Sequence, residues 1–234
     1  MNALLSSELS ADTLAALQAH LQSQQTDEEA GVSEDFRLSQ FWYDDRTGRA
    51  LAQEAIDHSK QLKIAFVSTP AAYRDFLKLQ REAEDEGASS INGENVFLFE
   101  FDRRFDEKYG SQFVFYDYNT PTDLPDKFHH FFDYILVDPP YLNPNCMGKF
   151  AETMRWLAKD VEAVPGKKDR ILNPCTFITA RMLRKDIYQD LGFTPSGFQP
   201  TFESKLSNQF LTYTNYASER FGVSSEEFGD SDSE

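Results

Sequence analysis

A chain of 234 residues is long enough for one large domain or two small ones, and its 21 Phe and 10 Tyr offset an apolar fraction of only 40%. Its net charge of −16 argues against a duplex-binding surface, which needs a basic face to neutralise phosphates. Two cysteines, Cys146 and Cys175, stand outside any CxxC or Cys/His cluster, which argues against a disulfide scaffold or a zinc site, and no apolar run reaches the length of a membrane span.

The opening stretch MNALLSSELS is too polar for the core of a signal peptide, and the chain is expected to be cytoplasmic. Its acids are unevenly placed. Residues 1–35 hold seven and no Lys or Arg, residues 217–234 hold six against Arg220 alone, and the middle carries −4. A basic protein partner suits such a chain better than a nucleic acid does.

Ser10 can cap a helix over 10–24, where Leu14, Leu17 and Leu21 form an apolar stripe, and the acidic stretch 26–35 reads as a linker. From residue 36 to 216 the pattern is that of a folded domain. A helix runs through His58, with Leu51, Ala52, Ala55 and Ile56 apolar. LKIAFVS (62–68) reads as a strand, and Pro70 suits the first position of the helix that follows. A polar insert over 82–94 precedes two more strands, VFLFEFD (96–102) and QFVFYDY (112–118). Residues 121–131 suit a short helix or loop, FDYILVD (132–138) is a fourth strand, and a helix is expected over 145–163. A fifth strand falls within 167–177, weakened by Pro174, before a helix over 178–191. GFTPSGFQPTF and NQFLTYTNY (208–216) supply a final pair of strands, and the Ser/Gly-rich tail 217–234 is expected to be disordered.

Strands that are almost wholly apolar and alternate with helices predict a parallel sheet covered on both faces. The closing pair is too close in sequence for a helical crossover, so the last strand is expected to be antiparallel. This order is that of a Rossmann-like methyltransferase domain, in which ligands sit beyond the carboxyl ends of the strands.

After the first strand, Ser68-Thr69-Pro70 holds no glycine, which weighs against NAD or FAD, whose pyrophosphate needs close backbone approach. S-adenosylmethionine has no phosphate, and small residues at a helix N-terminus can receive its single carboxylate. Ser68 and Thr69 are therefore cofactor candidates, beside the alternative of an ordinary turn. Glu100 and Asp102, after the second strand, can each accept both hydrogen bonds of a ribose diol. Pairing with Arg103 or Arg104 on the surface is the rival reading, weaker for Glu100 because apolar residues flank it. Asp117 and Tyr118, after the third strand, can receive an adenine amino group and pack against the purine, or with Asn119 only shape a turn. In SQFWY (39–43), Gln40, Trp42 and Tyr43 are candidates for a substrate channel or a cofactor contact, while Phe41 reads as core. No histidine sits at a strand end with a partner, so a His-based triad has no support.

The fourth strand ends in ILVDPPYL (135–142). An Asp/Asn/Ser-Pro-Pro-aromatic quartet is expected by chance in under about one chain per hundred of this length. Proline removes the N–H donor and fixes φ, so the backbone here offers carbonyl oxygens rather than amides. Asp138, Pro139, Pro140 and Tyr141 thus combine a carboxylate, carbonyls and a flat ring into an acceptor-rich pocket for an amine. No nucleophilic side chain is required, because the substrate nitrogen itself attacks.

From about residue 38 to 216 the chain resembles the N6-adenine-methyltransferase-like family. The resemblance rests on SQFWY (39–43), VSTPAAY (67–73), FEFDRRF (99–105), FYDYN (115–119), DLP (123–125), ILVDPPYL (135–142), and NQF and YTNY within 208–216. The family label comes from the DPPY motif of DNA adenine methylases, but the branch resembled here methylates lysine on translation elongation factor 1-alpha. The resemblance implies an α/β, Rossmann-like class I S-adenosylmethionine-dependent methyltransferase fold, with a mostly parallel seven-stranded sheet and an antiparallel last strand. It implies S-adenosyl-L-methionine as cofactor and elongation factor 1-alpha as protein substrate. It also implies that Asp138 to Tyr141 bind the amine, and that Glu100, Asp117 and the Ser68-Thr69 turn contact the cofactor. The alternative is an N6-adenine methyltransferase acting on DNA or RNA, opposed by the acidic charge and by the lack of a separate basic recognition domain. A catalytically silent scaffold would show a broken DPPY, and here the motif is intact.

Overall fold

The computed structural model describes residue 32, residues 34–87 and residues 91–224. The helix expected over 10–24, most of the linker over 26–35 and the last ten residues of the acidic tail lie outside the described residues. Five α-helices are present among the described residues: α1 (Asp45–His58), α2 (Pro70–Asp85), α3 (Arg104–Tyr109), α4 (Pro144–Leu157) and α5 (Arg184–Leu191). Seven strands form one sheet: β1 (Ile64–Val67), β2 (Val96–Glu100), β3 (Phe113–Phe115), β4 (Tyr134–Val137), β7 (Cys175–Ala180), β8 (Thr194–Pro195) and β9 (Phe210–Thr214). Two short strands, β5 (Val161–Glu162) and β6 (Arg170–Ile171), pair separately and antiparallel.

The sheet order is β3-β2-β1-β4-β7-β9-β8, and β9 alone runs against its neighbours, as the closing pair predicts. β1 and β4 are buried at every position because helices cover both faces. Alternate residues divide between the two layers. Phe66 packs against Tyr73 and Phe76 of α2, while Ala65 and Val67 join a core with Phe150 and Met154 of α4 and Ile187 of α5. The register places the site. Val67 stands level with Phe99 on one side and Val137 on the other, so β1 and β4 end on one line and β2 one residue beyond it. The ladder continues one residue further, with Ser68 N donating to Phe99 O at 2.8 Å and Asp138 N to Val67 O at 3.1 Å.

Several expected boundaries move. The helix expected to reach 163 ends at Leu157, because Ala158 turns extended and bridges Phe132 beside β4. The strand expected within 167–177 is divided at Pro174, which has no N–H for a ladder, leaving β6 before it and β7 after it. β7 runs on through Ile178 and Thr179, β-branched residues that favour a strand, so α5 begins only at Arg184. Residues 121–131 hold a single 3-10 turn, Asp126–Phe128.

The tail expected to begin at 217 is folded through Ser224. The Phe221 ring lies 5.0 Å from Phe198, Val223 bridges Ser196, and Arg220 pairs with Glu54 at 3.3 Å and Asp57 at 2.6 Å on α1. Gly197 permits this close approach, since a Cβ there would stand 2.6 Å from the Val223 carbonyl oxygen.

Candidate active site

The carboxyl ends of β1, β2, β3 and β4 open into a cavity of about 480 Å³, closed from above by residues 38–43 and by the segment from Phe202 to Phe210 before β9. Eleven of the thirteen candidate residues line it: Gln40, Tyr43, Ser68, Thr69, Glu100, Asp117, Tyr118, Asp138, Pro139, Pro140 and Tyr141. The two roofing segments are fastened to each other by backbone. Tyr43 and Phe202 form an antiparallel bridge, Asp44 N donates to Thr201 O at 3.2 Å, and Glu203 N donates to Trp42 O at 3.0 Å.

Asp102 and Trp42 stand outside the cavity. The Asp102 carboxylate is held by the Arg104 guanidinium at 2.6 Å and by Gln40 Nε2 at 3.1 Å, so it braces Gln40 rather than facing a ligand. Asp102 thus pairs with Arg104, one of the two arginines its rival reading named, although the carboxylate is buried rather than on the surface. Trp42 is buried, with the Arg74 guanidinium 4.8 Å over its ring. Phe41, assigned to the core by its residue type, faces the cavity instead. Phe41 and Tyr43 face the cavity, while Trp42 between them packs against Arg74.

Phe101, Tyr116, Asn119, Phe202 and residues 206–208 also line the cavity without having been candidates. Phe101 and Asn119 adjoin candidates and were within reach of the strand-end rule. Phe202 and residues 206–208 come from a long connection whose return over the sheet depends on β9 pairing with β7, which no local pattern encodes.

Each candidate is held by its own local bonds. Glu100 Oε1 accepts the backbone N–H groups of Phe101 at 2.9 Å and Asp102 at 3.1 Å. Burial nevertheless raises its carboxyl to about 7, opposed by those two N–H groups and reinforced by the Asp102 charge. Asp117 Oδ1 accepts from Asn119 N at 2.9 Å and Asn119 Nδ2 at 2.8 Å, so the residue both lines the cavity and shapes the turn. Tyr118 packs between Phe150, 6.0 Å away, and Tyr141, 5.9 Å away. Beyond the two prolines, Asn143 caps α4 by accepting from Cys146 N at 2.9 Å, and Pro144 begins that helix.

Asp138 sits at the centre of this arrangement. Its Oδ2 accepts the hydroxyl of Tyr43, a residue wholly buried in the cavity roof. Burial raises its carboxyl to about 7; the Tyr43 bond opposes that rise and the charge of Glu100 adds to it. The described lining residues thus include three carboxylates, Glu100, Asp117 and Asp138, and no Lys, Arg or His. Such a lining favours cationic guests and disfavours phosphates.

The family described as "Probable N6-adenine methyltransferase" matches residues 34–218. The chain belongs to this methyltransferase family. It is 37% identical to "EEF1A lysine methyltransferase 1" of Gallus gallus, over 90% of this chain and 94% of that protein. It is 35% identical to the protein of the same name from Homo sapiens, over 90% and 92% of the two chains. A "Protein-lysine N-methyltransferase" of Saccharomyces cerevisiae is 35% identical over 78% of this chain and 72% of its own. The methyl donor of the family is S-adenosylmethionine, and the residues present fit it. The Thr69 hydroxyl, buried in the cavity wall, makes no well-formed hydrogen bond among the described residues, with only the Tyr43 hydroxyl near it, which leaves it able to receive a ligand atom. Ser68, Thr69, Glu100, Asp117 and Tyr118, the residues that would hold it, all line this one cavity.

Proposed function

We propose that this protein is an S-adenosylmethionine-dependent lysine N-methyltransferase whose substrate is translation elongation factor 1-alpha. The observation that carries the reading is Asp138. It is a carboxylate at the centre of a cavity with no cationic side chain among its described lining, followed by two prolines that offer carbonyls and no N–H. When bound, S-adenosylmethionine supplies an electrophilic methyl group on a positively charged sulfur. The protein must present a neutral amine to it. A lysine ammonium with its usual pKa near 10.4 is neutral only about once in a few thousand molecules at pH 7. Entering the cavity strips water from the ammonium and lowers that pKa against the opposing pull of the carboxylates, and the proton is released to solvent through the cavity mouth before attack. Asp138 Oδ1, with Oδ2 already engaged by Tyr43, accepts an N–H of the amine, and the Pro139 carbonyl accepts a second. Two fixed acceptors leave the nitrogen lone pair pointing in one direction, which is the orientation in-line transfer needs. Tyr141, 42% exposed at the cavity mouth, and Tyr118 beside it line the path of the lysine stem.

The relatives' names support a protein substrate, and the net charge of −16 supports it over a polyanion. Both cysteines are free and buried, which supports a reducing cytoplasm as the place of action. Labelled S-adenosylmethionine offered with purified elongation factor 1-alpha and, separately, adenine-containing nucleic acid tests the proposal. Label is expected on a lysine of the factor, and Asp138→Ala is expected to abolish transfer while leaving cofactor affinity within a few-fold. Label on nucleic acid and none on protein would overturn the reading.

A further inference from the structure

We infer that Tyr43 is a positioning residue for Asp138, fixing which carboxylate oxygen meets the amine. The inference rests on the lysine reading of the site and adds to it a residue from the roof, far from the DPPY motif in sequence. A free carboxylate can turn about its Cβ–Cγ bond and exchange its two oxygens. In this structure the Tyr43 hydroxyl donates to Oδ2 from a fixed point, so one oxygen is committed and Oδ1 is left as the acceptor for the substrate. Tyr43 itself cannot wander. It is wholly buried, its ring centre lies 5.1 Å from that of Phe202, and its backbone is bridged to the same residue. The assembly of the roof and the aim of the catalytic carboxylate are therefore one event: docking residues 41–44 on residues 201–203 delivers the hydroxyl.

The hydroxyl also bears on charge. Burial and the neighbouring Asp138 carboxylate push the Tyr43 phenol well above its ordinary value, so it remains a donor throughout the working range. Its bond favours the ionised form of Asp138 against burial and against Glu100, which faces it from the end of β2. Among the described residues, the other titratable groups lining the cavity are Tyr116, Asp117 and Tyr118 beyond β3, and Tyr141 on the same loop as Asp138. None of these is a cation that could replace the Tyr43 bond.

Tyr43→Phe in the full chain keeps the ring and removes the donor. Cofactor affinity should stay within about twofold, kcat should fall roughly 10- to 100-fold, and the acid limb of the kcat–pH profile should move up by about one unit. A second reading needs no substrate: the Asp138 carboxyl is titrated by carbon NMR, with its signal assigned by loss in Asp138→Asn. Its midpoint should rise in Tyr43→Phe. Phe202→Leu, which keeps the hydroxyl and loosens its support, should move both readings the same way by less. An unshifted Asp138 midpoint in Tyr43→Phe, with kcat within twofold of the parent, would overturn the inference. Failure of the parent enzyme to methylate lysine would overturn the proposed function instead, while the titration still decides the role of Tyr43.

Discussion

Burial raises the Asp138 carboxyl from 3.8 to about 7, and that shift is a statement about stability as well as reactivity. Between those two values the folded protein retains a proton that the unfolded chain has lost, so stability falls as pH rises through the window. Above about pH 7 the full cost of an ionised buried carboxylate is present, on the order of 4 kcal/mol. Asparagine cannot ionise, yet its carbonyl can still accept the Tyr43 hydroxyl. Asp138→Asn should therefore melt several degrees higher than the parent at pH 8 and at the same temperature near pH 4, while losing methyl transfer at pH 8. Thermal melts across that range check it, and an equal gain at both pH values would place the effect outside ionisation. Asp138 is legible in the sequence because the DPPY quartet is rare and each of its members removes a donor or adds an acceptor. Trp42 and Phe41 are not legible in the same way. Both are large aromatics in one short stretch, and which of them faces the cavity depends on how that stretch is pinned to residues 201–203, far away in sequence.

The elements that carry the site are the ones whose sequence pattern is strongest. β1 and β4 are unbroken apolar runs and β2 is one up to Glu100, every residue of the three is buried, and their ends fall within a residue or two of the expected ones. The misjudged boundaries lie where two local signals compete. Residues 178–180 precede a helical pattern, yet β-branched Ile178 and Thr179 complete a five-residue register with β9, and the ladder prevails over helix propensity. The segment between β4 and α4 shows how an element end serves the chemistry. Asn143 N donates to Tyr141 O at 3.1 Å while its side chain caps α4, so one residue ties the DPPY turn to the helix behind it. Asn143→Ala should cost about 1 kcal/mol, lowering the melting temperature by a few degrees in a chain of this size. It should also raise KM for the protein substrate by loosening the Tyr141 wall, and Asn143→Ser, which still caps, should recover most of both losses. Paired melts and kinetics on the two variants check this, and a loss of stability that serine does not restore would count against the cap.

Across the whole molecule, charge and topology act together. The lateral order of the sheet joins residues far apart in sequence, so strand patterns alone establish a mostly parallel sheet with an antiparallel end, and the likeness to a known family carries the rest. Charge is legible without any fold: the chain bears −16, and three of its carboxylates line the cavity where the substrate's ammonium enters. Encounter with a basic substrate surface is then steered by a field that salt screens, the Debye length falling from about 10 Å at 0.1 M to about 3 Å at 1 M. Chemistry inside the cavity is screened far less, because bulk ions do not enter it. Raising sodium chloride from 0.05 to 0.5 M should lower kcat/KM for the elongation factor several-fold and leave kcat at saturating substrate nearly unchanged. The same titration with a short neutral peptide bearing the target lysine should show little slope, since such a peptide presents few charges to the field. A kcat/KM for the intact factor that is flat or rises with salt would remove long-range steering and assign recognition to contacts at the cavity mouth alone.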